Sequence, residues 1–131
     1  MPDNEKTYRV IIADASPDVR SALHCLIEQE DDCRVIDEAA SCRALHRALA
    51  AHNTDIVFLD AGLPSVSSHL IKLLRVDNPH LAVIVMSQDC CPPYKPPDGA
   101  CCVISKKDPP ESVFKALKDA RREVDKNRPA D

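Results

Sequence analysis

Asp55-Ile56-Val57-Phe58-Leu59-Asp60, followed at once by Ala61-Gly62-Leu63-Pro64, is the stretch that decides the fold. Its apolar middle is β-branched and aromatic, has no polar break, and is closed by a turn segment. That pattern reads as a strand buried on both faces, as in a parallel sheet. Ligands in open α/β sheets bind just outside the carboxyl ends of the strands, where Asp60 falls. Asp60 could equally do no more than start a turn, a common use of Asp. Its weight comes from what stands at the ends of the other apolar runs.

Toward the N-terminus, Tyr8-Arg9-Val10-Ile11-Ile12-Ala13 is a second such run, and it ends at Asp14. Ser16-Pro17 then predicts a helix N-cap with proline at the first helical position. Val19, Ala22, Leu23, Leu26 and Ile27 carry that helix at helical spacing. Residues 33–39 read as a weaker strand near the sheet edge. Ser41 caps the next helix, with Cys42, Leu45, Ala48 and Leu49 inward and Arg43 and His46 outward. Toward the C-terminus, a helix bearing Leu70, Ile71, Leu73 and Leu74 stops at Asn78-Pro79. Residues 81–86 are a strand run ending at Ser87, and Gly99–Ser105 is a fifth, ending at Lys106. Pro109-Pro110-Glu111 opens a last helix with Val113, Leu117, Ala120 and Val124 on one face and mixed charge on the other.

Strands alternating with helices predict a parallel sheet covered on both faces. One segment breaks the rhythm. Where a helix should follow the fourth strand, Pro92, Pro93, Pro96 and Pro97 crowd the stretch 88–98. Proline removes backbone donors and pushes the preceding residue away from helical angles, so a Pro-rich loop is expected there instead of a helix.

The 131 residues suit one domain, read as 1–131 with a core over about 8–126. A net charge of -4 and a pI near 5.7 give no basic footprint for nucleic acid. The polar N-terminus opens no signal peptide, and no apolar run reaches transmembrane length, so the expected location is cytoplasmic with no membrane contact. The seven cysteines are odd in number and lack C-x-x-C spacing, which argues against a disulfide framework. The adjacent pairs Cys90-Cys91 and Cys101-Cys102 are awkward as joint ligands, because strand neighbours point to opposite faces. Small buried apolar cysteines are the simpler reading.

The strand ends bring together Asp14, Asp60, Ser87 and Lys106. Two carboxylates, a hydroxyl and an ammonium suit phosphoryl transfer to a carboxylate, in which lysine and hydroxyl stabilise the phosphoryl oxygens and a divalent cation bridges the carboxylates. This set resembles the receiver domain of two-component response regulators over about residues 8 to 120. The stretches Val10–Asp14, Ser16–Arg20 and Gly99-Ala100 look closest to receivers of regulators with a LuxR/NarL-type DNA-binding domain. The resemblance implies a flavodoxin-like fold with strand order 2-1-3-4-5 and no enzyme activity of its own. It implies Asp60 as phosphoacceptor, Ser87 as switch hydroxyl, Lys106 as the invariant lysine, and Mg²⁺ held through Asp14, Asp60 and the Gly62 carbonyl. The implied partners are a histidine kinase or another signalling protein, with a homodimer as a further option.

The sequence also departs from that family. Ala15 replaces a carboxylate that ligates magnesium directly, so Mg²⁺ binding is expected to be weak. Gln88 follows Ser87 where a small residue is usual, Val103 replaces the aromatic reporter of phosphorylation, and Ser67-Ser68 replaces Asp-Gly. Five such differences, counting the proline segment, favour an atypical receiver. The alternatives are a pseudo-receiver that works without phosphate or Mg²⁺, a flavodoxin-like cofactor binder, and a thiol-based redox or metal module. Only two glycines and no Gly-rich loop speak against the cofactor binder.

Overall fold

The computed structural model describes residues 7–88 and 96–128. In chain order these form β1 (Tyr8–Ala13), α1 (Pro17–Ile27), β2 (Cys33–Ala39), α2 (Cys42–Ala51), β3 (Ile56–Asp60), α3 (Ser68–Asp77), β4 (Ala82–Ser87), β5 (Cys102–Ser105) and α4 (Glu111–Asn127). The five strands make one sheet in the order β2-β1-β3-β4-β5, and every neighbouring pair is parallel. This is the parallel sheet covered on both faces that the alternating pattern predicts, in the flavodoxin-like strand order that the resemblance implies.

Strand periodicity sorts the core into two layers. Val10, Ile12, Ile56, Phe58, Ile84 and Met86 face α1 and α4, where they meet Leu23, Ile27, Leu117 and Val124. Their neighbours Ile11, Ala13, Val57, Leu59, Val83 and Val85 face α2 and α3, against Leu45, Ala48, Ile71 and Leu74. All five residues of β3 are buried, which explains its unbroken apolar run. Each large side chain so enclosed contributes about 1.5–3 kcal/mol of transfer free energy. Edge strand β2 is only partly buried and reads as the weaker strand accordingly.

Three serines start the first three helices. The hydroxyls of Ser16, Ser41 and Ser67 accept from the backbone N–H of Val19, Ala44 and Leu70, respectively. Each satisfies a donor that the first helical turn would otherwise leave open, worth ~1 kcal/mol.

One expectation needs adjustment. The sequence pattern places the start of the fifth strand at Gly99, but β5 begins at Cys102. Gly99 has φ +90° and sits in a turn, so the residues before Cys102 cannot lie in the pleat. The proline-rich run falls chiefly on residues 89–95, which lie outside the described residues. Its flanks, residue 88 and residues 96–98, are not helical, and among the described residues no helix separates β4 from β5.

At the amino ends of the strands, Asp55 lies just before β3 and only 5% exposed. It accepts the Arg9 backbone N–H at 2.9 Å and an Arg128 N–H at 2.6 Å, with His80 Nε2 3.2 Å away. Tyr8 donates its hydroxyl to Asp125, and Arg128 lies 5.6 Å above the Tyr8 ring. This cluster ties the end of α4 to the bottom of the sheet. No helix among the described residues is long and apolar enough to cross a membrane.

Candidate functional site

Asp14 directly follows β1, Asp60 closes β3, Ser87 closes β4 and Lys106 directly follows β5. Cross-strand backbone bonds hold these ends level. Asp14 N–H donates to Ala39 O at 2.9 Å, Ala61 N–H to Met86 O at 2.8 Å, and Lys106 N–H to Ser87 O at 2.9 Å. The four residues therefore rim one cleft of about 480 Å³, which Ala15, Gly62 and Gln88 also line.

The carboxylates are placed by local turn chemistry. Asp14, 1% exposed, accepts the Ser16 N–H on Oδ1 at 2.9 Å. The same turn presents Ser16 to cap α1, so one short segment both starts the helix and aims the carboxylate. Arg20, one turn into α1, donates to the Asp14 carbonyl at 2.8 Å and to Glu38 at 3.1 Å. Asp60, 8% exposed, accepts the Gly62 N–H on Oδ1 at 2.9 Å. A Cβ at position 62 would stand 3.2 Å from that oxygen, so glycine leaves the carboxylate room.

Lys106 unites the cleft. Its ammonium lies 2.6 Å from Asp14 Oδ2 and 3.1 Å from Asp60 Oδ1. Asp14 Oδ2 is fully buried and, among the described residues, has no partner but this ammonium. Burial alone would pull the lysine pKa down. The hydrogen bonds and charges of Asp14 and Asp60 outweigh it and raise the value above 10.5. Lys106 thus reaches Asp60 as its strand-end position predicts, though it sits closer to Asp14, while Lys107 is exposed. Asp60 Oδ2 has no hydrogen-bond partner among the described residues and borders the open cleft.

The donor set does not fit a strong Mg²⁺ site. A hard cation of this size asks for near-octahedral oxygen ligation with directly placed carboxylates. Ala15 supplies no side-chain oxygen, and the Lys106 ammonium already offsets one of the two carboxylate charges. Among the described residues no three His, Cys, Asp or Glu side chains gather where they could hold a metal.

Sequence reasoning named Asp14, Asp60, Gly62, Ser87 and Lys106, and all five border the cleft. It missed Arg20 as the support of the Asp14 carbonyl. No local pattern signals that contact, because it depends on the angle at which α1 leaves the end of β1.

The family description "Response regulator receiver domain" matches residues 10–118. No curated protein matches the sequence. Among solved structures, RcsB from Salmonella enterica serovar Typhimurium, bound to promoter rprA with the phosphomimetic BeF3-, superposes with a TM-score of 0.77 at 24% identity, covering 86% of this chain and 67% of that one. A second RcsB complex, on promoter P1flhDC, is covered over 64% of its length, so the chain spans about two thirds of those regulators. A LuxR-family two-component response regulator from Aurantimonas sp. SI85-9A1 gives a TM-score of 0.73 at 20% identity, with 92% and 97% covered. A CheY-like receiver domain protein from Methanospirillum hungatei JF-1 gives 0.76 at 15% identity, with 94% and 100% covered. At these identities the structures speak for the fold, and the family match covers most of the sequence. The chain belongs to the response regulator receiver domain family.

Proposed function

We propose that residues 8–126 act as one receiver module that signals through protein–protein contacts and takes a phosphoryl group on Asp60 from a histidine kinase. The observation that carries this reading is the Lys106 ammonium held against both carboxylates while Asp60 Oδ2 has no partner among the described residues. In the transfer, Oδ2 attacks phosphorus, the P–N bond to the kinase imidazole breaks, and an acyl phosphate forms. Lys106 and the Ser87 hydroxyl stabilise the equatorial phosphoryl oxygens, where charge develops. Ala15 leaves the cleft one carboxylate short, so Mg²⁺ binding is weak and uptake from small donors is slow.

The second reading is a pseudo-receiver, an interaction module that works without phosphate. Ala15 and Gln88, both lining the cleft, favour it. In either case the acidic segment itself does not contact nucleic acid, and a homodimer is a further mode of contact.

Acetyl-phosphate labelling with Mg²⁺ titration and thermal melts, run on the wild type, Ala15→Asp and Asp60→Asn, separates these readings. Weak wild-type labelling that Asp60→Asn abolishes and Ala15→Asp strengthens supports the phosphoacceptor. Ala15→Asp should also bind Mg²⁺ more tightly and melt slightly lower without it, since it adds a third negative charge. No wild-type labelling at saturating donor favours the pseudo-receiver. If wild type labels and binds Mg²⁺ as well as Ala15→Asp does, the attenuated reading fails and an ordinary switch stands.

A further inference from the structure

Cys101 and Cys102 break the alternation of the strand they introduce. Along β5, Val103 packs on the α2–α3 layer and Ile104 on the α1–α4 layer. Continued backward, that period places Cys102 with Ile104 and Cys101 on the opposite face. Both cysteines instead pack on the α1–α4 layer. The reason is that the pleat starts only at Cys102, while Cys101 still lies in the bend that follows the Gly99 turn. The backbone there is fixed by the Cys101 N–H to Val83 O bond at 2.8 Å and by the pairing of Cys102 with Ile84. The objection that neighbouring cysteines diverge therefore does not hold at this position.

We propose that Cys101 and Cys102 form a two-thiol site for a thiophilic metalloid, the ligand class being a monosubstituted trivalent arsenical. Neither cysteine is disulfide-bonded, and both are partly accessible. A groove of about 240 Å³ beside α4, lined by Cys102, Ser112, Lys115, Ala116 and Asp119, gives the ligand a place to lie. Interaction with the neighbouring Cys102 thiol is the main influence holding the Cys101 thiol below its ordinary range, against the opposing effect of burial. The same interaction, and then burial, pushes Cys102 up.

Geometry selects the ligand. A direct disulfide between sequence neighbours is disfavoured, because a trans peptide sets their Cα atoms ~3.8 Å apart, short of the ~4.4–6.8 Å that disulfides take. A soft centre bonded to both sulfurs instead bridges them without a direct S–S bond, so that constraint on the Cα atoms does not apply. A four-coordinate ion such as zinc would lack ligands, since among the described residues no three suitable side chains gather. An arsenical brings its own third substituent. In the capture step, R–As=O reacts with both thiols: two As–S bonds form, the As=O and two S–H bonds break, and the oxygen leaves as water. Arsenic stays trivalent, so nothing is oxidised or reduced. The site stands at the start of β5, apart from the acidic cleft beyond its other end.

The test uses phenylarsine oxide and the full chain carrying Cys90→Ser and Cys91→Ser, which removes the other adjacent pair. One equivalent should bind by intact mass, with Cys101 and Cys102 protected from alkylation. Adding Cys101→Ser or Cys102→Ser should weaken binding ~10²–10⁴-fold, because the second bond is intramolecular. Unchanged affinity, or protection of Cys25, Cys33 or Cys42 instead, overturns the proposal. In the otherwise unaltered chain, either single serine variant should lower the arsenical bound by one equivalent, and 2,3-dimercaptopropanol should strip that equivalent where glutathione at equal thiol concentration does not. No drop, or equal stripping by both thiols, overturns it as well.

Discussion

Replacing Lys106 with Met would remove the one cation among the described residues that faces both buried carboxylates. At an effective dielectric near 20, charges 2.6 and 3.1 Å apart attract by roughly 6 and 5 kcal/mol. Desolvation of the ammonium, whose side chain is 15% exposed, takes back several kcal/mol of that gross attraction. What remains after substitution is an uncompensated buried pair, and losing one partner of such a set costs about 3–5 kcal/mol. At a slope near 2 kcal/mol per molar urea, the midpoint should fall by about 2 M. A double-mutant cycle with Asp14→Asn isolates the electrostatic part: Lys106→Met should cost about 1–3 kcal/mol less when Asp14→Asn is already present. The pH profile gives an independent check. Because the folded pKa of Lys106 is raised above 10.5, its stabilisation is complete below that pH and fades only as pH climbs through the folded value. The assay is urea unfolding by circular dichroism of the four proteins, with the wild type and Lys106→Met compared from pH 7 to 11. Strict additivity in the cycle, or a Lys106 contribution that disappears below pH 10, would refute the reasoning.

Asp55→Asn keeps the shape but removes the charge that Arg128 meets at 2.6 Å, and Arg128 is about one-third exposed, so the loss should be only ~1–2 kcal/mol in a urea melt. Amide exchange should then quicken at the end of α4 before it changes in β3, and uniform quickening would count against a local tie. Ser65 holds φ +76° without being glycine, so Ser65→Gly should relieve strain, offset in part by the entropy of glycine in the unfolded chain, and raise the melting temperature by about 2–4 °C. A lower melting temperature would show that the Ser65 side chain contributes more than its backbone strain removes. Gly62→Ala should leave stability within ~1 kcal/mol yet shift the Asp60 carboxylate, because the new methyl would stand 3.2 Å from Oδ1. An unmoved Asp60 side-chain carbon resonance in NMR would contradict that crowding.

The sequence by itself determined the alternation of elements, the helix starts at Ser16, Ser41 and Ser67, and the polar residue ending each of four strand runs. These are local matters: apolar periodicity, capping and turn residues act within a few positions, and the parallel topology follows once strands alternate with helices. Tertiary structure decided the rest. Lys106 bonds Asp14 more closely than Asp60 because the strand order sets β1 and β3 side by side and the heights of their ends fix the distances. Asp55, counted as part of the strand run, became the anchor for Arg128, a residue 73 positions away. Cys101 joined Cys102 on one face because Gly99 turns the chain at a point where periodicity predicts pleat. In each case the deciding contact joins segments far apart in sequence or depends on where a strand begins. No local pattern carries that information, because it arises only when the sheet has formed and each residue takes its place in it.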